Sequence, residues 1–270
     1  MISTDSMDRS WNLKRVSRGV LRRVVGIGHS ARWRLGGGRR SIRELGNLHE
    51  RHRGERVWII CNGPSLAKTD MSMLSEEVTI SMNRAYLSWP DWGFTPSYYL
   101  AINDLVLQQW HSDIAALDTV KFVNWRARRW FENGENTPIF LKLAYSFRDK
   151  FSRDIRRGIH SGGTVTFAAL QLAYFLGAAE AVIVGMDHRF AAVGVPNSKE
   201  RRNEESDGDH FRPDYFPKGS LWELPDLLRS EAAYRRAREA FEGAGRTITD
   251  ATTDGACDVF PKVTLAELFA

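Results

Sequence analysis

With 270 residues, 43% of them hydrophobic and 26% charged, the chain has the composition of a globular protein with a full core, either one large domain or two small ones. No apolar run approaches the ~18–20 residues of a membrane-spanning helix, and the N-terminus lacks the apolar core and cleavage site of a secretory signal. The net charge of +5 is unevenly held: residues 1–53 carry 13 Lys/Arg against Asp5, Asp8, Glu44 and Glu50 (net +9), and the remainder 25 Lys/Arg against 29 acids (net −4).

Residues 11–27 mix Lys14, Arg15, Arg18, Arg22 and Arg23 with Val16, Val20, Leu21, Val24, Val25 and Ile27. The spacing of Val20, Val24 and Ile27 suits one helical face. Two readings stand side by side. One is a basic amphipathic helix lying on an anionic membrane surface, where each Lys/Arg contributes about 1 kcal/mol. The other is a basic tail without a specific partner. No nucleic-acid-binding module accompanies the charge, so nucleic acid is not an expected partner. Gly36-Gly37-Gly38-Arg39-Arg40 reads as a hinge. Residues 1–40 are thus set apart as a basic arm, and 41–270 form a single α/β domain.

Ser41–Arg53 reads as a short polar helix leading to a buried strand, Arg56-Val-Trp-Ile-Ile60. The strand breaks into Cys61-Asn62-Gly63-Pro64-Ser65, residues that favour turns. In open α/β sheets such turns at the carboxyl ends of strands build ligand sites. Here Gly63 would admit a ligand close to the backbone, and Asn62 and Ser65 would supply short polar groups. Cys61 and Cys257 are far apart with no zinc spacing, so reduced thiols in a cytoplasmic protein are expected. Further strands are expected at Val78–Met82 and Ser97–Ile102, ending at Asn83 and Asn103. Three successive strands therefore finish in an asparagine, which offers a donor and an acceptor at once. Each could equally serve as a turn former or helix N-cap.

A helix at Leu105–Leu117 and a strand at Val120–Asn124 follow, and residues 125–157, rich in Trp, Arg and Phe, show no periodicity. His160-Ser161-Gly162-Gly163-Thr164 precedes the apolar run Val165–Leu176, so small residues sit at a helix start where backbone N–H groups and the helix dipole favour an anion. A strand at Ala181–Val184 ends in Gly185-Met186-Asp187. There is neither a phosphate-loop lysine signature nor a GxGxxG. Residues 188–220 are polar and read as a lid. Within it His210, flanked by carboxylates and aromatics, suits general-base chemistry or simply pins the loop. A long helix at Pro225–Gly245 and a strand at Arg246–Asp250 complete the domain.

The segments Cys61-Asn-Gly-Pro-Ser-Leu66, Met82-Asn83, Ile102-Asn103, His160-Ser161-Gly162 and Gly185-Met186-Asp187 resemble, in this order, the nucleotide site of bacterial lipo-oligosaccharide sialyltransferases. The same core recurs in motility-accessory-factor glycosyltransferases and in a pyrophosphokinase-like group acting on hydroxymethyl-dihydropterin. The resemblance runs from about residue 55 to 190, then through Asp209–Phe216. It implies a Rossmann-like, mostly parallel sheet flanked by helices, with a CMP-activated nonulosonic sugar as donor and no obligatory metal. By position, Asn62, Gly63 and Ser65 would contact CMP phosphate and ribose. Asn83 and Asn103 would hold the sugar-nucleotide, Ser161 and Gly162 the donor carboxylate or phosphate, and Gly185 and Asp187 would line the cytidine pocket. Arg189 stands where those enzymes carry a tyrosine that binds the leaving phosphate. His210 and Asp214 are both candidates for the base, with His188 a weaker third.

These implications converge on a sialyltransferase-like enzyme acting on a cell-surface glycan, in lipopolysaccharide or capsule biosynthesis, peripheral at the inner membrane face. Two alternatives remain: a Mg²⁺-dependent pyrophosphokinase using Asp104 and Asp187, and a non-catalytic membrane-attached assembly protein. Oligomeric state is not legible.

Overall fold

A computed structural model describes residues 31–131, 136–144, 149–192 and 194–270. The basic segment 11–27 lies outside the described residues. Seven parallel strands form one sheet: β1 (Arg56–Ile60), β2 (Val78–Met82), β3 (Tyr98–Ala101), β4 (Val120–Asn124), β5 (Ile139–Leu141), β6 (Glu180–Val184) and β9 (Thr247–Asp250), in the order β5-β4-β3-β2-β1-β6-β9. A separate antiparallel pair joins β7 (Lys199–Arg201), in the expected lid, to β8 (Leu221–Glu223), just past its end.

β1 is the centre of this arrangement. Val57, Trp58, Ile59 and Ile60 are all fully buried, as a parallel strand covered on both faces must be. One face of the sheet packs against α1 (Arg39–Leu48), α4 (Val165–Leu176) and α5 (Leu227–Glu242). The opposite face is covered by the short α2 (Trp89–Trp92), by α3 (Asp104–Ala116) and by the terminal α6 (Leu265–Phe269).

α4 is apolar all round because it is buried all round, ten of its residues being inaccessible. It starts where the Thr164 hydroxyl caps the Thr166 N–H and stops at Gly177, whose φ of 98° no side chain tolerates cheaply. After β5 the chain crosses back through α4 to lay β6 on the free side of β1, with Ile60 opposite Val184. That reversal is the topological switch point where α/β sheets bind ligands.

Residues 125–157 hold what the sequence did not disclose: a 3₁₀ turn at Trp125–Trp130, the three-residue β5 and a second 3₁₀ turn at Ile155–Arg157. The triglycine expected as a hinge is a packed turn. A Cβ on Gly38 would lie 2.4 Å from the Trp33 ring and carbonyl, so the chain can close there only on glycine.

Candidate functional site

The two turns of the switch point are bonded to each other. The Cys61 N–H donates to the Val184 carbonyl at 2.9 Å and the Gly63 N–H to the Gly185 carbonyl at 2.8 Å, which extends the β1–β6 ladder past the strands. Asp187 then accepts from the Ser65 N–H at 3.0 Å and the Ser65 hydroxyl at 2.6 Å. Gly63 sits in the angle so tightly that a Cβ would meet Asp187 Oδ2 at 2.0 Å and the Gly185 carbonyl at 2.7 Å. The polar groups of Ser65 and Asp187 are therefore spent on each other. They fix the shape of the turn.

Above this clamp lies a cavity of about 210 Å³, lined by Asn62, Gly63, Asn83, Asn103, Gly185, Asp187, Arg189 and His210, with Gly163–Thr166, His188 and Tyr234 around them. The three strand-end asparagines do meet, but they are not equivalent. Asn103 Oδ1 caps α3, accepting from the Leu105 and Val106 N–H groups at 2.8 and 3.2 Å, and its amide donates to Glu223 at 3.4 Å. Asn62 and Asn83 keep side-chain carbonyl oxygens that are out of solvent and have no partner. An acceptor left unpaired out of water costs about 1–3 kcal/mol, so two in one cavity fit a ligand that brings donors. Asn83 and His188 also have positive φ (51° and 55°), backbone strain of the kind that concentrates at ligand sites. His188 Nε2 lies 3.3 Å from Glu231.

The N-terminal turn of α4 forms one wall of the cavity, bringing the positive end of the helix dipole to it. Ser161 and Gly162, just upstream, face elsewhere. The Ser161 hydroxyl accepts from Arg229 at 3.2 Å, and the Gly162 N–H donates to Asp149 at 3.2 Å. Burial works against ionisation of Asp149, but the bond and charge of Arg229 and the Gly162 N–H outweigh it and hold its carboxyl below the usual range. These two residues are not in the cavity wall. They tie the loop before α4 to α5.

The lid closes the cavity with a polar network of its own. His210 Nδ1 is 2.9 Å from Asp207 Oδ2, and the imidazole stacks on Tyr215 with ring centres 4.0 Å apart. The Asp207 side chain is fully buried and also accepts from Arg202 at 2.7 Å, from the Asp209 N–H at 3.0 Å and from the Phe216 N–H at 3.2 Å. Burial opposes its charge, but His210, then the Asp209 N–H and the Arg202 charge, prevail and keep its carboxyl below the ordinary range. Arg202 also pairs with Asp209 at 3.2 Å and lies over the Trp222 ring at 4.9 Å. An ionised carboxylate only accepts. Nδ1 of His210 therefore carries a proton, and in the neutral imidazole Nε2 carries the lone pair.

Arg84, directly after Asn83, anchors the lid to the sheet. Its N–H donates to the Tyr215 hydroxyl at 3.2 Å, its guanidinium donates to the Tyr215 carbonyl, and it stacks on Trp110 at 4.2 Å. The Phe211 N–H donates to the Asn62 carbonyl at 3.1 Å.

Of the residues read from sequence, Asn62, Gly63, Asn83, Asn103, Gly185, Asp187, Arg189 and His210 line the cavity; Ser65, Ser161, Gly162 and Asp214 do not. Asp214 lines a different hollow, where Arg212 bonds its carboxylate at 2.9 Å and holds it below the usual range. Arg189 is exposed at the cavity and, among the described residues, has no ion-pair partner. Asp104 accepts from Asn124 at 2.8 Å and pairs with Arg126 at 3.3 Å. Of the two acids named for magnesium, Asp187 lines the cavity and Asp104 does not, and no group of three His, Cys, Asp or Glu among the described residues is disposed to hold a metal. Asp207 and Arg202 were missed by the sequence reading. The D-x-x-H spacing of Asp207 and His210 was the one available signal.

No protein-family model and no curated sequence matches the chain. Among solved structures it is similar to the MAf glycosyltransferase from Magnetospirillum magneticum AMB-1, with a TM-score of 0.50 and 18% identity over 80% of this chain. The chain covers 35% of the length of that protein. At this identity the likeness is one of fold: an α/β domain with a parallel sheet, of the kind found in a MAf glycosyltransferase.

Proposed function

We propose that the chain is a glycosyltransferase that moves a CMP-activated, sialic-acid-like sugar onto a glycan acceptor. The observation that carries this reading is the pairing, in one cavity, of His210, held by Asp207, with the two unpartnered side-chain carbonyl oxygens of Asn62 and Asn83. Those oxygens call for donors, which ribose hydroxyls and the exocyclic amine of cytosine provide. The first turn of α4 and the Arg189 guanidinium suit the anionic phosphate and the donor carboxylate.

In this reading His210 Nε2 takes the proton of the acceptor hydroxyl as its oxygen bonds to the anomeric carbon of the donor. The bond from that carbon to the phosphate oxygen breaks, CMP leaves with the electron pair, and the configuration inverts. Asp207 keeps the imidazole in the basic tautomer and stabilises the imidazolium that forms. Arg189 and the α4 amides stabilise charge on the departing phosphate. The fold likeness to a glycosyltransferase supports this reading without naming donor or acceptor.

A thermal-shift panel of CMP, CMP-sugars, ATP and GTP, each with and without magnesium, tests it. CMP and its sugars are expected to raise the melting temperature in either condition. Stabilisation by ATP or GTP with magnesium, and none by CMP, would overturn it in favour of phosphoryl or pyrophosphoryl chemistry.

A further inference from the structure

Just before α1 the chain builds a surface that the transfer chemistry does not use. Residues 31–35 are helical. Trp33 is fully buried, with its ring edge-on to Trp125 at 5.4 Å and its Nε1 donating to the Arg156 carbonyl at 3.0 Å. Pinning that one side chain inward turns its neighbours outward. Arg32 and Arg34 are exposed, and Leu35 is 72% exposed.

Arg128, half-buried, and Arg129, exposed, extend the same surface from the other side, each resting on a tryptophan. Arg128 lies over the Trp125 ring at 4.3 Å and Arg129 over Trp130 at 4.5 Å. Burial, and then the charges of Arg32 and Arg129, lower the pKa of Arg128, which places Arg128 in the field of both. The ion pairs of this region take up Arg40, Arg126, Arg156 and Arg157. Among the described residues Arg32, Arg34, Arg128 and Arg129 have no carboxylate partner. Like charges gathered together repel, and an anionic surface relieves that repulsion.

We propose that this face docks on the anionic surface of a lipid bilayer, with Arg32, Arg34, Arg128 and Arg129 against the phosphate headgroups and Leu35 at the acyl boundary. A large exposed apolar side chain among arginines suits a lipid interface, where each cation gains from the surface potential and the leucine from burial. The preceding residues 1–30 carry six Lys/Arg against two acids, the same sign of charge.

Docking here also sets an orientation. Trp125–Trp130 leaves the carboxyl end of β4, the sheet edge that holds the cavity, and β4 is three strands from β1. At about 4.8 Å per strand that separation is about 15 Å. The cavity is thereby held near the membrane, where an acceptor built on a lipid would be within reach. The docking itself does not depend on which donor the cavity takes.

The test uses the full chain in vesicle flotation, comparing phosphatidylcholine alone with phosphatidylcholine containing about 30 mol% phosphatidylglycerol. Binding is expected only to the anionic vesicles. The variant Arg32→Gln/Arg34→Gln/Arg129→Gln should partition about a hundredfold more weakly, each arginine contributing about fivefold. The variant Arg235→Gln/Arg236→Gln/Arg238→Gln, which removes the same charge from α5, should lose less than about fivefold. Equal binding to neutral vesicles, equal loss in both variants, undiminished binding of the first variant, or tighter binding to RNA than to the vesicles overturns the proposal. Nucleotide-induced thermal shifts, measured on the same proteins, are expected to be unchanged, so failure here is separable from failure of the donor reading.

Discussion

Gly63→Ala sets two opposite effects against each other at the centre of the site. Gly63 has φ −73° and ψ 161°, a conformation any residue adopts, so alanine would gain about 0.4–1 kcal/mol through the unfolded chain. Against that, its Cβ would lie 2.0 Å from Asp187 Oδ2 and 2.7 Å from the Gly185 carbonyl, where ordinary contact begins at 3.4 Å. Swinging the carboxylate aside breaks its two bonds from Ser65 at a cost of about 1.5–3 kcal/mol, the acceptor being charged. The Gly185 oxygen is backbone in the ladder and cannot yield, so overpacking adds about 1–3 kcal/mol. The clash wins by about 2–5 kcal/mol, or a fall in melting temperature of roughly 5–15 °C for a chain of this size. Differential scanning calorimetry reads it. Gly46→Ala is the control: it lies in α1, where a Cβ meets nothing within 4 Å, and should gain up to about 1 kcal/mol. A Gly63→Ala protein melting at or above wild type would refute the clamp. In an Asp187→Ala background the cost of Gly63→Ala should shrink to the part owed to the carbonyl.

Three further outcomes follow from the cavity and the lid. Asp207→Asn should lower the transfer rate about 10²–10⁴-fold, leaving nucleotide affinity unchanged, because the imidazole loses the partner that fixes its tautomer; steady-state kinetics separates kcat from KM. Asn83→Gly should leave stability within about 1 kcal/mol of wild type, since φ 51° suits glycine. It should weaken nucleotide binding about 5–100-fold by calorimetric titration, since the unpartnered oxygen is gone. Because the Asp207 carboxyl is depressed in the folded chain, its stabilisation is fully present above the ordinary carboxylate pKa of about 3.9 and is lost as pH falls through the lower folded value. Hydrogen exchange of the amides of residues 202–216 should therefore accelerate below about pH 4, before those of β1 do.

What was legible in the sequence was local. The β1 turn announced itself because a fully buried strand ends abruptly in Asn-Gly-Pro-Ser, and α4 matched its expected bounds because Thr164 and Gly177 cap an unbroken apolar run. Three asparagines at strand ends were visible, and they do share one cavity. That one of them caps α3 was not, because N-cap and ligand use the same carboxamide. Ser65 was assigned to a ligand because its partner Asp187 stands 122 positions away. The Arg202–Asp207–His210 network has no period to detect, since it lies in a loop where spacing carries no facing rule. Residues 125–157 resisted for a related reason: three-residue strands and 3₁₀ turns are too short to repeat a pattern.

The lid network constrains how the cavity can work. At about 210 Å³ the cavity is smaller than the ~300–1,000 Å³ usual for ligand sites, so the sugar nucleotide proposed above would require the lid to move outward. A base on a flexible loop would lose its geometry in that movement. Here the groups that orient His210 travel with it: Arg202, Asp207, Asp209 and Tyr215 all belong to the lid segment. Its attachments to the body include the Phe211 N–H on the Asn62 backbone carbonyl, the bonds of Arg84 to Tyr215, and Arg212 on the Leu87 carbonyl and Asp91 at 2.9 and 3.0 Å. The first two of these arise at strand ends that also supply cavity residues, Asn62 itself and Asn83 beside Arg84. A ligand that engages those two asparagines therefore acts directly on two of the points that hold the lid, and His210, oriented from within the lid, keeps its alignment as the lid moves.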